Sequence, residues 1–171
     1  MPINAHKHTI LFSACLLGRP VRYNGTDLLQ QHPIIEQWRR QDYLISICPE
    51  VSGGLDTPRA AAEIQAGSGA SVLAGSSRIM THTGSDVTEA FIAGAEKTLA
   101  FAQQHHVVMA ILTERSPSCG SQQIYNGQFN HSTTNERGVT AELLQQHQIK
   151  IFNQHQLVEA HDWHQQYLRN L

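Results

Sequence analysis

The sequence has few charged residues and no long apolar segment. Only 15% of its 171 residues are Asp, Glu, Lys or Arg, and the formal net charge at pH 7 is -2. Proteins that bind a nucleic acid duplex make many positive contacts to phosphates, so this charge argues against a duplex partner and favours a small or neutral ligand. No segment approaches the roughly 18 apolar residues that a membrane-spanning helix requires, so we expect no membrane partner.

Cysteines are also few, and no two of them are close together in the chain. The sequence contains three cysteines, Cys15, Cys48 and Cys119. The Cys-x-x-Cys pair of zinc fingers and thioredoxin-like sites is therefore missing. The first residues, Met1–His8, are polar, and the apolar stretch after them is too short for a signal peptide. We therefore expect a cytoplasmic protein, in which an odd number of cysteines fits a disulfide framework poorly.

Two other familiar motifs are incomplete. Gly67–Gly69 resembles the start of a dinucleotide-binding fingerprint, but Val72 occupies the position of the third glycine, so a flexible linker is the better interpretation. The eleven histidines include no His-x-x-x-His pair of the metalloprotease type. We interpret them as solvated surface residues.

The residues that are present predict a single α/β domain over residues 1–171. A hydrophobic content of 40% is ordinary for a globular protein, and a chain of this length can bury roughly 70% of its unfolded surface. Short apolar, β-branched runs alternate with amphipathic segments. The predicted strands are Thr9–Phe12, Leu44–Ile47, Val107–Leu112 and Ile149–Phe152, and the predicted helices are Pro33–Arg40, Asp86–Gln104 with Asp86 as its cap, Val139–His147 and Gln156–Leu168. This alternation is typical of a doubly wound α/β domain with a mostly parallel sheet and helices on both faces.

Three smaller elements are predicted from local signals. Ala60–Ile64 is consistent with one or two helical turns. Ser71–Thr83 predicts a small hairpin that turns at Gly75–Ser77. Ile124–Phe129 predicts a second hairpin, with Asn126–Gly127 as its two-residue turn.

Each of the three cysteines follows a predicted strand. Leu44–Ile47 reads as a strand buried on both faces, and Pro49, directly after Cys48, must end it because proline cannot donate to the sheet. The carboxyl ends of parallel strands converge on one edge, where open α/β sheets bind their ligands. We therefore expect Cys15, Cys48 and Cys119 to share a site, although each could instead be a small buried apolar side chain.

Three gathered thiolates can hold a 4Fe-4S cluster by three of its irons and leave the fourth iron open to a ligand. An open iron acts as a Lewis acid. Glu50, two residues after Cys48, is a candidate general base near such a centre, or else a surface carboxylate. Ser116 and Ser118, just before Cys119, could hydrogen-bond a substrate or a cluster sulfur, or else only form a turn. 

Arg59 and Asp86 are less promising as catalysts. We interpret Arg59 as a cation that anchors a turn and Asp86 as a helix cap.

Four motifs, in this order, resemble those of the thiouracil desulfidase family, which was long a domain of unknown function. They are SACLLG at Ser13–Gly18, CPEVSGGL at Cys48–Leu55 with Pro58–Arg59, GSDVT at Gly84–Thr88, and SPSCG at Ser116–Gly120 with Ile124–Phe129. The resemblance extends from about residue 10 to residue 152. Asn24, where we expect aspartate, and Ala60–Ala61, in place of a proline-rich run, depart from the family pattern and leave the preferred thiobase open.

The resemblance implies a single Rossmann-like α/β domain, a 4Fe-4S cluster bound by Cys15, Cys48 and Cys119, and the non-redox removal of sulfur from a thiolated pyrimidine. Such an enzyme converts 2- or 4-thiouracil to uracil and hydrogen sulfide. By this likeness the open iron would bind the substrate sulfur and Glu50 would activate the attacking water. The family's catalytic serine matches Ser116 best and Ser118 second, which leaves a substrate-binding role for Ser118.

Two alternatives belong to other functional classes. A non-catalytic iron–sulfur sensor or sulfur carrier would bind the cluster without releasing sulfide from thiouracil. A zinc-bound or metal-free hydrolase or binding module would not contain the cluster at all.

Overall fold

The computed structural model describes residues 8–171, and the polar segment before His8, on which the signal-peptide prediction partly rests, lies outside the described residues. The strands are β1 (Thr9–Ser13), β2 (Leu44–Ile47), β3 (Ala62–Ile64), β4 (Ile79–Thr81), β5 (Val107–Leu112), β6 (Ile124–Tyr125), β7 (Thr133–Thr134) and β8 (Lys150–Asn153). The helices are α1 (Pro33–Arg40), α2 (Pro49–Ser52), α3 (Gly69–Leu73), α4 (Thr88–Gln104), α5 (Val139–Gln146) and α6 (Leu157–Arg169). Within residues 8–171, no helix combines the length and the apolar character needed to cross a membrane.

The four longest predicted strands form one parallel sheet in the order β2-β1-β5-β8. All five residues of β1 are buried, because β1 lies between two neighbouring strands and under helices on each side. The residues of β2 are only half buried, so the prediction of a strand buried on both faces is wrong for this segment. The physical reason is its place at the edge of the sheet, which leaves one side of the strand without a neighbour.

Alternate residues of β1 pack against different helices. Ile10 and Phe12 lie in one apolar cluster with Trp38 of α1 and residues of α6. Leu11 lies in a second cluster with Leu144 of α5 and residues of α4. Because successive side chains of a strand point to opposite faces, these clusters are the two faces of the sheet. This arrangement confirms the predicted α/β class with helices on both faces.

Two of the smaller predictions are wrong. Ala62–Ile64 is a strand and not a pair of helical turns, because it pairs with β4 in an antiparallel ladder. Ser71–Thr83 is not a hairpin, because its first part belongs to helix α3. Ser68 caps that helix in a reciprocal capping box with Ser71, so Gly67–Gly69 begins a helix and is not a flexible linker.

The predicted two-residue hairpin turn at Asn126–Gly127 is also wrong. Strand β6 pairs with β7, and the connection between them is seven residues long, spanning 126–132. His164 is a further correction, because it is fully buried against Trp38 and Tyr43 and is not a surface histidine.

Candidate functional site

The loops at the carboxyl ends of three neighbouring strands line one cleft of about 660 Å³. Cys15 follows β1, Cys48 directly follows β2, and Cys119 lies in the loop after β5. All three side chains line the cleft, and all three are free thiols. The fold thus brings together residues that are 33 and 71 positions apart in the chain.

The three thiols are largely shielded from water. Cys15 is 8% exposed and its sulfur lies 2.9 Å from the Thr113 hydroxyl, while Cys119 is 4% exposed and contacts the Ser13 hydroxyl. Burial raises the pKa of all three thiols above the ordinary value, although hydrogen bonds partly oppose it. A buried thiolate needs a compensating positive charge nearby, and iron ions supply such a charge.

The spacing of the thiols differs from that of ligands around one ion. Among residues 8–171, no group of three His, Cys, Asp or Glu side chains is close enough to hold a single metal ion. Each of three cysteines on a cubic cluster binds a different iron, so their sulfur atoms stay farther apart than the ligands of one zinc. Three free cysteine sulfurs at one cleft are a donor set of the kind that iron–sulfur clusters use.

Glu50 lies in the first turn of α2, because Pro49 begins the helix directly after Cys48. Its carboxylate lies 3.3 Å from Nη2 of Arg59, and both side chains line the cleft. Burial raises the pKa of Glu50, and the positive charge of Arg59 opposes this shift. The structure thus places Glu50 inside the cleft and not on the surface.

Arg59 is a cleft residue that the sequence analysis assigned only to a turn. Its guanidinium does anchor the turn, by donating to the carbonyl of Asp56, and it also donates to the carbonyl of Val21 at 3.0 Å. Its side chain is 8% exposed, and its Nε has no partner among the described residues. The sequence could not show that Arg59 lines the cleft, because its hydrogen-bond partner Val21 lies 38 residues away in the chain.

The structure separates the two candidate serines. The Ser116 oxygen lines the cleft and accepts hydrogen bonds from the backbone N–H groups of Ser118 and Cys119, both at 3.1 Å. Ser118 is 1% exposed, does not line the cleft, and bonds the hydroxyl of Thr140 in α5 at 2.8 Å. A substrate-binding role for Ser118 has no support in this geometry, because packing against α5 turns its hydroxyl away from the cleft.

Glu114 organises the loop that carries Cys119, and the sequence analysis missed it. Its carboxylate accepts hydrogen bonds from the N–H groups of Ser121 and Gln123 and from the side-chain amide of Asn153. Burial acts to raise the pKa of Glu114, but these donors outweigh burial and lower the pKa below its ordinary value. The only signal in the sequence is its place just after β5.

A third carboxylate, that of Glu63 in β3, also lines the cleft. One of its oxygens accepts the backbone N–H groups of Gly127 at 2.9 Å and Phe129 at 3.2 Å. These bonds hold the segment after β6 against β3, which explains why Asn126–Gly127 does not form a two-residue hairpin turn. Local sequence patterns do not indicate this pairing, because 64 residues separate Glu63 from Gly127.

Comparisons with known proteins agree with this geometry. The sequence profile of the 2-thiouracil desulfurase family matches residues 10–156. The uncharacterized protein YbbK of Bacillus subtilis (strain 168) is 43% identical over 151 residues, which cover 86% of this chain and 97% of YbbK. The solved structure of TudS, a [4Fe-4S]-dependent thiouracil desulfidase, matches with a TM-score of 0.80 at 39% identity and covers 90% of this chain and 95% of TudS. This chain therefore belongs to the 2-thiouracil desulfurase family.

Proposed function

We propose that this protein is an iron–sulfur-dependent thiouracil desulfidase, which converts 2- or 4-thiouracil and water to uracil and hydrogen sulfide. The observation that carries the proposal is the meeting of Cys15, Cys48 and Cys119 at one cleft beside the half-buried carboxylate of Glu50. Membership in the family and the likeness to TudS support the same reaction.

Cys15, Cys48 and Cys119 would hold the 4Fe-4S cluster by three of its irons. When bound, the cluster supplies a fourth, open iron that is Lewis-acidic and attracts a soft sulfur ligand. The remaining chemistry falls to side chains of this protein. A cytoplasmic location suits such a centre, because its ligands are free thiols.

Glu50 is the proposed general base. Its carboxylate accepts a proton from the water that attacks the ring carbon bearing the sulfur, and the water oxygen takes the place of that sulfur. The sulfur leaves as hydrogen sulfide with the two protons of the water, so the reaction needs no net electron transfer. Arg59 holds the carboxylate in place through the 3.3 Å ion pair.

Ser116 is the proposed second catalytic group. Its oxygen already accepts two backbone N–H groups, so its own O–H hydrogen remains available to donate to a substrate in the cleft. A donor in this position stabilises negative charge that develops on the pyrimidine ring when water adds to it.

An anaerobic turnover assay tests the proposal. The iron-loaded protein is expected to release uracil and sulfide from thiouracil in equal amounts. Glu50→Gln is expected to keep its iron and lose at least about 100-fold in kcat, because a general base contributes about 10²- to 10⁴-fold. Glu142→Gln, which changes a carboxylate outside the cleft, is the matched control and should keep full activity.

Two outcomes would contradict the proposal. An iron-loaded protein that releases no sulfide from thiouracil would be a non-catalytic iron–sulfur sensor or sulfur carrier. Full activity of a preparation without iron would indicate a zinc-bound or metal-free hydrolase.

A further inference from the structure

The cleft contains a buried carboxylate for which the proposed mechanism has no use. Glu63 is 7% exposed, lies in the middle of β3, and lines the same cleft as the three cysteines and Glu50. Its Oε1 accepts two backbone N–H groups, those of Gly127 and Phe129. Both of these bonds use the same oxygen.

The second oxygen of Glu63 has unused capacity as an acceptor. Among residues 8–171, no donor bonds to Oε2 and no cation forms a salt bridge with this carboxylate. An ionised carboxylate has about four acceptor positions, so Oε2 can accept a further hydrogen bond. Because Glu63 lines the cleft, a ligand with an N–H donor can satisfy this oxygen.

The surrounding backbone holds the carboxylate rigidly. Gly127 has φ of 90°, and a Cβ at this position would overlap the carbonyl oxygen of Ile64. Phe129 also has a positive φ, of 53°, and its N–H is the second group that Glu63 holds. Residues other than glycine rarely adopt a positive φ. The unusual backbone of this loop directs the two N–H groups toward Glu63.

The residue that donates the second of these N–H groups carries an aromatic ring. Phe129 lines the cleft, and its ring packs edge to face with that of His82 at a centroid distance of 6.3 Å. A hydrogen-bond acceptor next to an aromatic side chain is the combination by which proteins recognise the edge and the face of a nucleobase. The ligand chemistry that fits is therefore a planar heterocycle with a ring N–H.

We infer that Oε2 of Glu63 accepts the N3–H of the thiolated pyrimidine, which makes Glu63 a specificity-determining residue. This inference rests on the proposed function. N3–H is next to the thiocarbonyl carbon in both 2-thiouracil and 4-thiouracil, so one acceptor serves both substrates. A pyrimidine methylated at N3 offers no donor to the carboxylate and leaves it unpaired.

The first test compares 4-thiouracil with 3-methyl-4-thiouracil in the iron-loaded wild-type protein. We expect kcat/KM for the methylated base to be at least about tenfold lower, because the site loses a hydrogen bond to a charged acceptor. Equal kcat/KM values for the two bases would overturn the inference. This comparison needs no variant, so it holds even if changes at Glu63 prevent folding.

The second test uses Glu63→Gln, with Glu142→Gln as the matched control outside the cleft. The amide oxygen must face the N–H groups of Gly127 and Phe129, so the NH₂ group turns to the cleft and replaces an acceptor with a donor. We expect the preference for 4-thiouracil over the methylated base to shrink to within about threefold in Glu63→Gln and to stay unchanged in Glu142→Gln. A wild-type preference that persists in Glu63→Gln would overturn the inference.

A binding measurement separates this inference from the proposed function. Calorimetry of the iron-loaded protein with uracil and 3-methyluracil reports recognition without turnover. We expect wild type to bind uracil at least about tenfold more tightly than 3-methyluracil, and Glu63→Gln to lose this difference. Selective binding of uracil in a protein that releases no sulfide would refute the proposed function alone, and sulfide release without this selectivity would refute the inference alone.

Discussion

Glu114 shows how one side chain can hold a whole loop. It lies two residues after the end of β5, and its carboxylate accepts the N–H of Arg115 before the turn that contains Cys119 and that of Ser121 after it. The side-chain amide of Asn153, at the end of β8, bonds the same carboxylate. The position of Cys119 in the cleft therefore depends on a carboxylate that does not contact the thiol in any described hydrogen bond.

Glu114→Gln is expected to weaken this loop. The amide NH₂ would face N–H donors, so at least one buried donor would lose its acceptor at a cost of about 1–3 kcal/mol. We expect a corresponding decrease in the free energy of unfolding by urea, together with faster loss of iron in air. Glu136→Gln, at an exposed position, should change stability by less than about 0.5 kcal/mol. Equal stability and iron retention in both variants would contradict this role.

At the residue scale, the sequence predicted what local chemistry determines. Pro49 must end a strand, so the place of Cys48 and Glu50 just after β2 followed from the sequence. The roles of Arg59 and Glu63 did not, because their partners are far away in the chain. The hydrogen bond of Ser118 to Thr140 could not be predicted either, because Thr140 lies in a helix 22 residues later.

At the scale of elements, α2 packs closely against α4 through two glycines. A Cβ at Gly53 would overlap the carbonyl of Ala90, and a Cβ at Gly94 would overlap the carbonyl of Pro49. This close approach positions α2, whose first turn carries Glu50. Helix α4 thus sets the position of the proposed base as well as covering the sheet.

Gly94→Ala is expected to destabilise the protein by about 1–3 kcal/mol, because the added methyl group pushes α2 away from α4. In an ordinary helix interior the same change stabilises by about 1 kcal/mol. The sign of the change in stability therefore shows whether Gly94 packs closely against α2. Urea unfolding measures it. Ala100→Gly, at an exposed position of α4, is the control and should cost about 1 kcal/mol. An increase in stability for Gly94→Ala would contradict the close packing.

Which elements could be predicted depends on where their partners lie. The parallel strands have apolar, β-branched sequences that predict burial, and the central strands β1 and β5 are indeed mostly buried. The edge strands β2 and β8 are less buried. Strand β3 has only three residues and forms by pairing with β4, some 15 residues later, so its own sequence did not show it. Helix α3 depends on the Ser68–Ser71 capping box, which the turn signal at Gly75–Ser77 obscured.

At the scale of the whole molecule, α6 closes one face of the sheet and buries a titratable group. His164 is fully buried beside Trp38 and Tyr43, and its Nε2 lies 3.2 Å from the backbone carbonyl of His8. Its Nδ1 has no partner among the described residues. Burial lowers the pKa of His164, and the nearby His161 and His8 add to this effect, although the His8 carbonyl opposes it.

This burial predicts a loss of stability in acid. The folded-state pKa of His164 lies below its unfolded value of about 6.5, so the unfolded chain binds the proton first as the pH falls. The free energy of unfolding should therefore be highest above about pH 6.5 and decrease below it, by up to about 1.4 kcal/mol per pH unit for this group, until the folded-state pKa is reached. Urea unfolding at a series of pH values measures this slope.

His164→Phe should flatten the slope below about pH 6.5, whatever its effect on stability at neutral pH. His147→Gln, at an exposed histidine, is the control and should keep the wild-type slope. A slope that is the same in wild type and His164→Phe would show that another group is responsible.

The most direct test of the account is the iron and acid-labile sulfide content of protein prepared without oxygen. We predict about four irons and four sulfides per chain for wild type and for the exposed-site control Ser76→Ala. Cys15→Ala, Cys48→Ala and Cys119→Ala should each lose most of this iron while remaining folded. Wild-type protein without iron, or a variant that keeps all four irons after losing one of these cysteines, would contradict the central claim that the three thiols hold one cluster.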